Sequence, residues 1–371
     1  MFAGTSVLSA AIDVADAADA ADLRDAAAAD DLAACRAALR NGSRTFLAAS
    51  LLLPRAVHEP ACALYAFCRL ADDAVDGVSS AEAASQAVEK LRERLTLAYR
   101  GTPMATPADR ALAAVVARFA IPRALPEALL QGFEWDAAGR RYETLEDLHD
   151  YAARVAGAVG AMMALLMGVR SAEGLARACD LGVAMQLSNI ARDVGEDARM
   201  GRLYLPRQWL REAGIAPDAW LANPVFSREL GSVVQRVLDA ADALYARVDA
   251  GVARLPWSCR PGINAARYLY ADIGHEVARR GLDSVSQRAV VPGSRKLLLL
   301  MRALVSLNPA PARQAAPALA ATQYLVEAVR PLTTPAPRRL PRWNIKQRAL
   351  WLIDLFERLE RREQMGLQRG R

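Results

Sequence analysis

The chain has 371 residues, 53% hydrophobic, 24% charged and 6% aromatic, which excludes a disordered or collagen-like protein and allows one to three domains. The net charge of +6 comes from 47 Lys and Arg against 41 Asp and Glu, with no basic stripe of interleaved aromatics to favour nucleic acid. The longest apolar run, Val155 to Val169, spans 15 residues between Arg154 and Arg170. It falls short of the ~20 residues that cross a bilayer and predicts a buried core helix.

Residues 1–31 form an Ala/Asp-rich extension with Asp13, Asp16, Asp19 and Asp22 at intervals of three, read as a frayed or surface helix. Residues 32–308 repeat apolar positions every three or four residues and nowhere alternate with period two. Pro and Gly punctuate them at Pro54, Gly101, Pro122, Pro126, Gly168, Pro206, Pro217, Pro224, Pro256 and Pro261, predicting an all-α domain of about ten helices. The last section, 309–371, holds a Pro-rich hinge at Pro331–Pro341 and a basic amphipathic helix near Asn344–Gln364. Five scattered cysteines and three separate histidines offer neither a disulfide framework nor a zinc site. With no secretory leader, the expected location is the cytoplasm.

Two acidic stretches carry chemistry. In Tyr65–Asp76, Asp72 and Asp76 stand four apart on one helical face, about 6 Å along the axis, with Arg69 and Tyr65 on the preceding turns. In Gln186–Asp197, Asn189, Asp193 and Asp197 form an i, i+4, i+8 ladder with Gln186 ahead of it. A lone Asp-x-x-x-Asp is ordinarily a solvated face. Two such ladders in apolar context, over 100 residues apart, are costly unless cations compensate them. Four carboxylates, two amides and an Arg make a hard-oxygen set suited to Mg²⁺, with Mn²⁺ as a substitute, and imply metal-assisted departure of a diphosphate from a carbocation.

The motifs Leu70–Asp76, Tyr151–Gly160 and Gln186–Pro206 resemble those of the squalene/phytoene synthases. So do Ser43–Phe46, Gly132–Asp136 with Arg141-Tyr142, Tyr270–Ile273, and Arg288–Pro292 with Lys296. The resemblance runs in order over about residues 40 to 300 and is nearest to the bacterial phytoene-forming members, particularly those of purple photosynthetic bacteria. It implies a single all-α helical bundle of the isoprenoid-synthase type with a central cavity. The implied reaction joins two geranylgeranyl diphosphates head to head, through a cyclopropyl diphosphate, to phytoene, without NADPH.

By that resemblance Asp72, Asp76, Asn189, Asp193 and Asp197 would hold the metal, with Gln186 beside them. Ser43, Arg44, Arg69, Tyr270, Arg288 and Lys296 would bind diphosphate oxygens. Tyr151 would stand by the reacting carbons, as phenol donor or diphosphate-assisted base, and Phe46 would wall the cation, with Tyr65 also on the substrate side. The residues alone leave blander readings open: Ser43 as a helix N-cap, Tyr151 as a core aromatic, Gly157 and Gly160 as points of close helix packing rather than room for a polyprenyl chain.

The chain departs from the family pattern at Gly42, where many relatives carry His, and at Arg44, where Lys is frequent. The interval from Tyr270 to Arg288 also fits only with a variable loop. Competing readings are a C30 synthase using farnesyl diphosphate, a head-to-tail chain-elongating enzyme, whose second motif should repeat Asp-Asp-x-x-Asp, and an inactive assembly factor, which should have lost carboxylates. The basic C-terminal helix, with Arg338, Arg339, Arg342, Trp343, Lys346 and Trp351, either docks on the core or makes a peripheral contact with anionic lipid on the cytoplasmic membrane face.

Overall fold

A computed structural model describes residues 27–42, 44–77, 80–306 and 316–329, and they are helical, with no strand among them. A first helix, α1, covers 27–41. It is followed by α2 (Arg44–Ser50), α3 (Arg55–Asp76), α4 (Ala81–Tyr99), α5 (Pro107–Phe119), α6 (Ala124–Ala137) and α7 (Leu145–Ala152). After a π-helical turn, Ala153–Gly157, come α8 (Ala158–Leu166), α9 (Ala172–Arg199), α10 (Arg207–Glu212), α11 (Pro217–Ala222), α12 (Arg228–Arg254), α13 (Arg260–Arg279) and α14 (Gly293–Val305). A 3₁₀ turn, Ala320–Thr322, leads into α15 (Gln323–Val329). The all-α expectation holds, but the described helices outnumber the ten predicted. Several prolines open helices rather than merely separating them: Pro107, Pro217 and Pro261 occupy first-turn positions, where a missing N–H costs nothing.

Side-chain caps start the long helices. The Ser171 hydroxyl accepts from the Gly174 amide at the head of α9, and Ser227 does the same for Leu230 at the head of α12. Thr144 and Asp147 form a reciprocal capping box that opens α7, the helix that carries Tyr151.

One large apolar core runs through the bundle, and a smaller cluster gathers Ala49 of α2 and Leu52 just after it with Ala265, Leu269, Leu299 and Leu300 of α13 and α14. Helix α3 packs on α4, α5, α6 and α8; α9 packs on α12, α8, α13 and the π turn. The two carboxylate-bearing helices thus share α8 as a neighbour. Ion pairs pin the outer elements: Arg110 forks onto Asp31, tying α1 to α5, and Arg94 forks onto the fully buried Asp109.

A close helix contact is made by glycines. A Cβ on Gly160 would lie 2.2 Å from the Ala178 carbonyl oxygen, and one on Gly182 would lie 2.3 Å from that of Ala156. Gly160 therefore serves packing between α8 and α9, and Gly157 faces Leu325, Thr322 and Val183 at ordinary contact distance. Backbone at 2.2 Å from a Gly160 Cβ, and side chains in contact distance of a Gly157 Cβ, favour close packing over room for a polyprenyl chain at both positions.

Gly182→Ala gains helix propensity of about 1 kcal/mol, but its methyl meets backbone that cannot step aside. We expect a net destabilisation of about 1–3 kcal/mol, typical of overpacking, read as a lower urea midpoint at unchanged slope.

Candidate active site

The ladder on α9 occupies the one accessible stripe of a helix otherwise enclosed. Leu187, Ser188, Ile190, Ala191 and Val194 are buried, whereas Gln186, Asn189, Arg192, Asp193 and Asp197 are half-buried. On α3 the accessible stripe is Tyr65, Cys68, Arg69 and Asp72, beside buried Leu64, Phe67 and Ala71. The α9 ladder and Asp72 of the α3 ladder thus lie on the open side of their helices, in keeping with the period of 3.6.

Arg69 spans its own turn, with 3.2 Å to Asp72 and 2.7 Å to Asp73. Phe46 of α2 stacks on Tyr65 at 5.6 Å between centroids. The Tyr65 hydroxyl lies 1.9 Å from where a Cβ on Gly42 would stand, so a side chain at 42 and this Tyr65 rotamer exclude each other. The phenol occupies the space that the family's frequent His would need. Ser43 and the side chains of Arg44 and Asp76 lie outside the described residues.

Asp193 is gripped from two sides. Arg192 forks onto both its oxygens, and Arg288 donates to them at 2.7 and 3.3 Å, also reaching Glu196. Burial works against the charge, but the two guanidinium groups outweigh it and hold the Asp193 carboxyl below the usual range. Arg288 arrives on the α13–α14 loop, which leaves α13 through the left-handed pair Gly281 and Leu282 (φ 72° and 65°). That loop touches α9 at Gly195, whose amide donates to the Ser284 carbonyl oxygen at 2.9 Å and whose missing Cβ would fall 2.3 Å from the Val285 oxygen. Gly195, between Asp193 and Asp197, is what lets the loop come so near.

Asp197 behaves in the opposite way. Burial, then repulsion from Asp193, pushes its carboxyl up to about 7, with Glu196 and Asp136 adding and Arg202 opposing. Among the described residues no three His, Cys, Asp or Glu side chains stand close enough to hold a metal ion between them. The donor set fits a hard cation at Asp197, which carries repulsion that a positive ion would relieve, whereas Asp193 would have to release a guanidinium partner to join it.

Tyr151 sits just before the π turn, buried, with its hydroxyl donating to Asp136 Oδ2 at 2.8 Å. Tyr204 donates to Asp136 Oδ1 at 2.7 Å, and the rings of Tyr142, Tyr151 and Tyr204 pack with centroids 5.0–6.0 Å apart. Burial, reinforced by the Asp136 charge, keeps the Tyr151 phenol protonated well above its ordinary pKa. Tyr270 is half-buried on α13 close to Tyr245, and Lys296 is half-buried in the first turn of α14. Asp136, Tyr204, Arg192 and Glu196 received no role from sequence reasoning, although all four lie within the motifs that carried the resemblance.

The model of the squalene/phytoene synthase family matches residues 39–295. The chain belongs to the squalene/phytoene synthase family. A phytoene synthase of Cereibacter sphaeroides is 56% identical over 280 residues, covering 74% of this chain and 79% of the relative. A 15-cis-phytoene synthase of a Paracoccus species is 43% identical over 269 residues, covering 71% and 87%. Among solved structures, a dehydrosqualene synthase superposes with a TM-score of 0.68 at 30% identity, over 75% of this chain and 96% of that one. The isoprenoid-synthase bundle of the family is thus this chain's fold.

The raised Asp197 pKa fixes a sign. The folded state binds this proton more tightly than the unfolded chain, so the favourable contribution is complete below pH ~4 and lost as pH rises through about 7. In metal-free buffer Asp197→Asn should match the wild type at pH 4 and unfold at a higher denaturant concentration at pH 8. Parallel stability curves across that range would contradict the assignment.

Proposed function

We propose that this protein condenses two geranylgeranyl diphosphates head to head, through a cyclopropyl (prephytoene) diphosphate, to phytoene, releasing diphosphate as the first committed step of carotenoid biosynthesis. The observation that carries it is the 56% identity to a phytoene synthase, on a chain whose accessible α9 stripe keeps Asp193 and Asp197 intact. The C30 alternative is less favoured, since the dehydrosqualene synthase is only 30% identical. An assembly factor would have no use for a half-buried carboxylate ladder kept at the expense of charge repulsion.

Asp72, Asp76, Asn189, Asp193 and Asp197 would hold Mg²⁺, or Mn²⁺, and a bound ion would neutralise the departing diphosphate. The chain's own residues do the rest. Arg69 and Arg288 are already spent on carboxylates, so an arriving diphosphate exchanges one anionic partner for another. Arg offers a planar fork to such oxygens and Lys296 a point charge. Phe46 stacked on Tyr65 presents aromatic faces, whose quadrupole favours a passing cation. The reaction as proposed needs no NADPH.

A peripheral membrane contact forms part of the proposal. The basic C-terminal helix assigned to it lies outside the described residues. Support comes instead from α14, where Leu298, Met301 and Val305 are 58%, 53% and 78% exposed on one ridge with Arg295 and Arg302 alongside. No described helix is long and apolar enough to cross a membrane.

Purified protein with Mg²⁺ and geranylgeranyl diphosphate should yield a C40 hydrocarbon by mass spectrometry, unaffected by NADPH and lost in Asp193→Ala. A C30 product from farnesyl diphosphate alone would overturn the substrate; no product from folded protein would overturn the enzyme. In sedimentation with anionic liposomes, the full chain should pellet and a chain ending before Pro331 should pellet less. Equal pelleting removes the C-terminal helix from the contact.

A further inference from the structure

The Tyr151 hydroxyl has one proton, and the structure shows where it goes. Its oxygen lies 2.8 Å from Asp136 Oδ2, while the Tyr204 hydroxyl takes Oδ1 at 2.7 Å. An ionised carboxylate only accepts, so both phenols donate to it. The two phenol oxygens are 3.4 Å apart, a longer contact that ranks behind the two short bonds. With its proton turned to Asp136, Tyr151 has only oxygen lone pairs left for any other neighbour.

The scaffold holds this orientation firmly. Asp136 comes from the last turn of α6, and α6 packs directly on the π turn that follows Tyr151. Arg154, inside that turn, donates to Gln131 of α6 at 2.7 Å and lies 4.0 Å over the Trp135 ring, next to Asp136 in the chain. Tyr142 seals the far side of the ring cluster, fully buried. Asp136 itself is half-buried, so a proton delivered to it has a route to water.

We propose that Asp136, assisted by Tyr204, is a positioning residue that makes Tyr151 a proton acceptor rather than a proton donor in the final step. The inference rests on the reading above that places Tyr151 beside the reacting carbons. In that step a C–H bond next to the C40 cation breaks and its electron pair becomes the new double bond. The proton passes to the Tyr151 oxygen as the original Tyr151 proton passes to Asp136, and Asp136 then returns it to solvent. The phenol is never required to persist as phenolate, in keeping with its raised pKa. A Tyr151 oriented as acid for the leaving diphosphate would need its proton pointing the other way, away from the only carboxylate it touches among the described residues.

Asp136→Asn keeps the shape but presents a donor on one side, which one of the two phenols must turn away from. With geranylgeranyl diphosphate, kcat for hydrocarbon should fall by about a hundredfold or more, the scale of a positioned base, with KM within about threefold. Diphosphate release should continue, and C40 alcohols, from water capture of a cation that cannot lose its proton, should replace phytoene. Asp136→Glu should restore part of the hydrocarbon yield, and Tyr204→Phe should cost less than Asp136→Asn.

Diphosphate release and hydrocarbon falling in parallel, or a rise in KM alone, would overturn the proposal. So would a Tyr151→Phe enzyme that still makes phytoene. Turnover is not the sole judge. In substrate-free, folded protein labelled on tyrosine ζ carbons, the Tyr151 resonance should move in Asp136→Asn, and an unmoved resonance refutes the geometry. Should the wild type make no C40 hydrocarbon, the functional reading fails, and Asp136 is decided on that resonance.

Discussion

The site depends on how near α9 can come to the segment around the π turn. Two glycines on opposing helices allow it: Gly160 meets the backbone of Ala178, and Gly182 meets the backbone of Ala156. The approach is sterically limited by backbone rather than side chains, so it admits little adjustment in a close-packed interior. It sets the ladder of α9 and the hydroxyl of Tyr151 in a common frame, although the two come from different helices. The third partner, α6, is locked to the same frame by Arg154, which bonds Gln131 and stacks on Trp135. Thus the segment with Tyr151, the helix with Asp193 and the helix with Asp136 behave as one block.

Electrostatics follows from that geometry. Carboxylates enclosed together are tolerated only when their charge is answered, and the chain answers it unevenly. Asp193 receives two guanidinium groups, whereas Asp197 is left with repulsion. The asymmetry would suit the proposed site, which takes a cation and an anion together. In that proposal Asp197 would take the positive charge, and Asp193 is coupled to an Arg that a polyanion would draw off.

The class of fold and the carboxylate ladders were legible because each depends on spacing along one helix. Asp72 and Asp76, or Asn189, Asp193 and Asp197, share a face whatever the tertiary structure does. The described part bears this out for the α9 stripe. What the sequence hides is anything set by two segments meeting. The Asp136–Tyr151–Tyr204 cluster joins residues 15 and 53 positions apart through contacts no periodicity announces. Arg288 reaches Asp193 across 95 residues, a carboxylate partner that its motif, read as diphosphate-binding, does not announce. The π turn is equally silent, for nothing in Ala153–Gly157 beyond the weak helix former Gly157 marks the extra residue that packing places in the turn. Gly42 stands out in the sequence as a departure, but only the position of the Tyr65 hydroxyl explains what fills the gap.

The π turn also has a bearing on synthesis of the chain. Gly157 rests against Thr322 and Leu325, and Arg154 lies over the Tyr324 ring, so this wall of the Tyr151 segment is supplied by residues made about 170 positions later. Arg177 reinforces the same closure by donating to the carbonyl oxygen of Pro317. A nascent chain emerging at ~5–20 residues per second therefore carries its carboxylate helices for many seconds before the last wall arrives. Maturation of the Tyr151 environment is a late event, waiting on the synthesis of residues 317–325 rather than on the folding of the segment that bears the tyrosine.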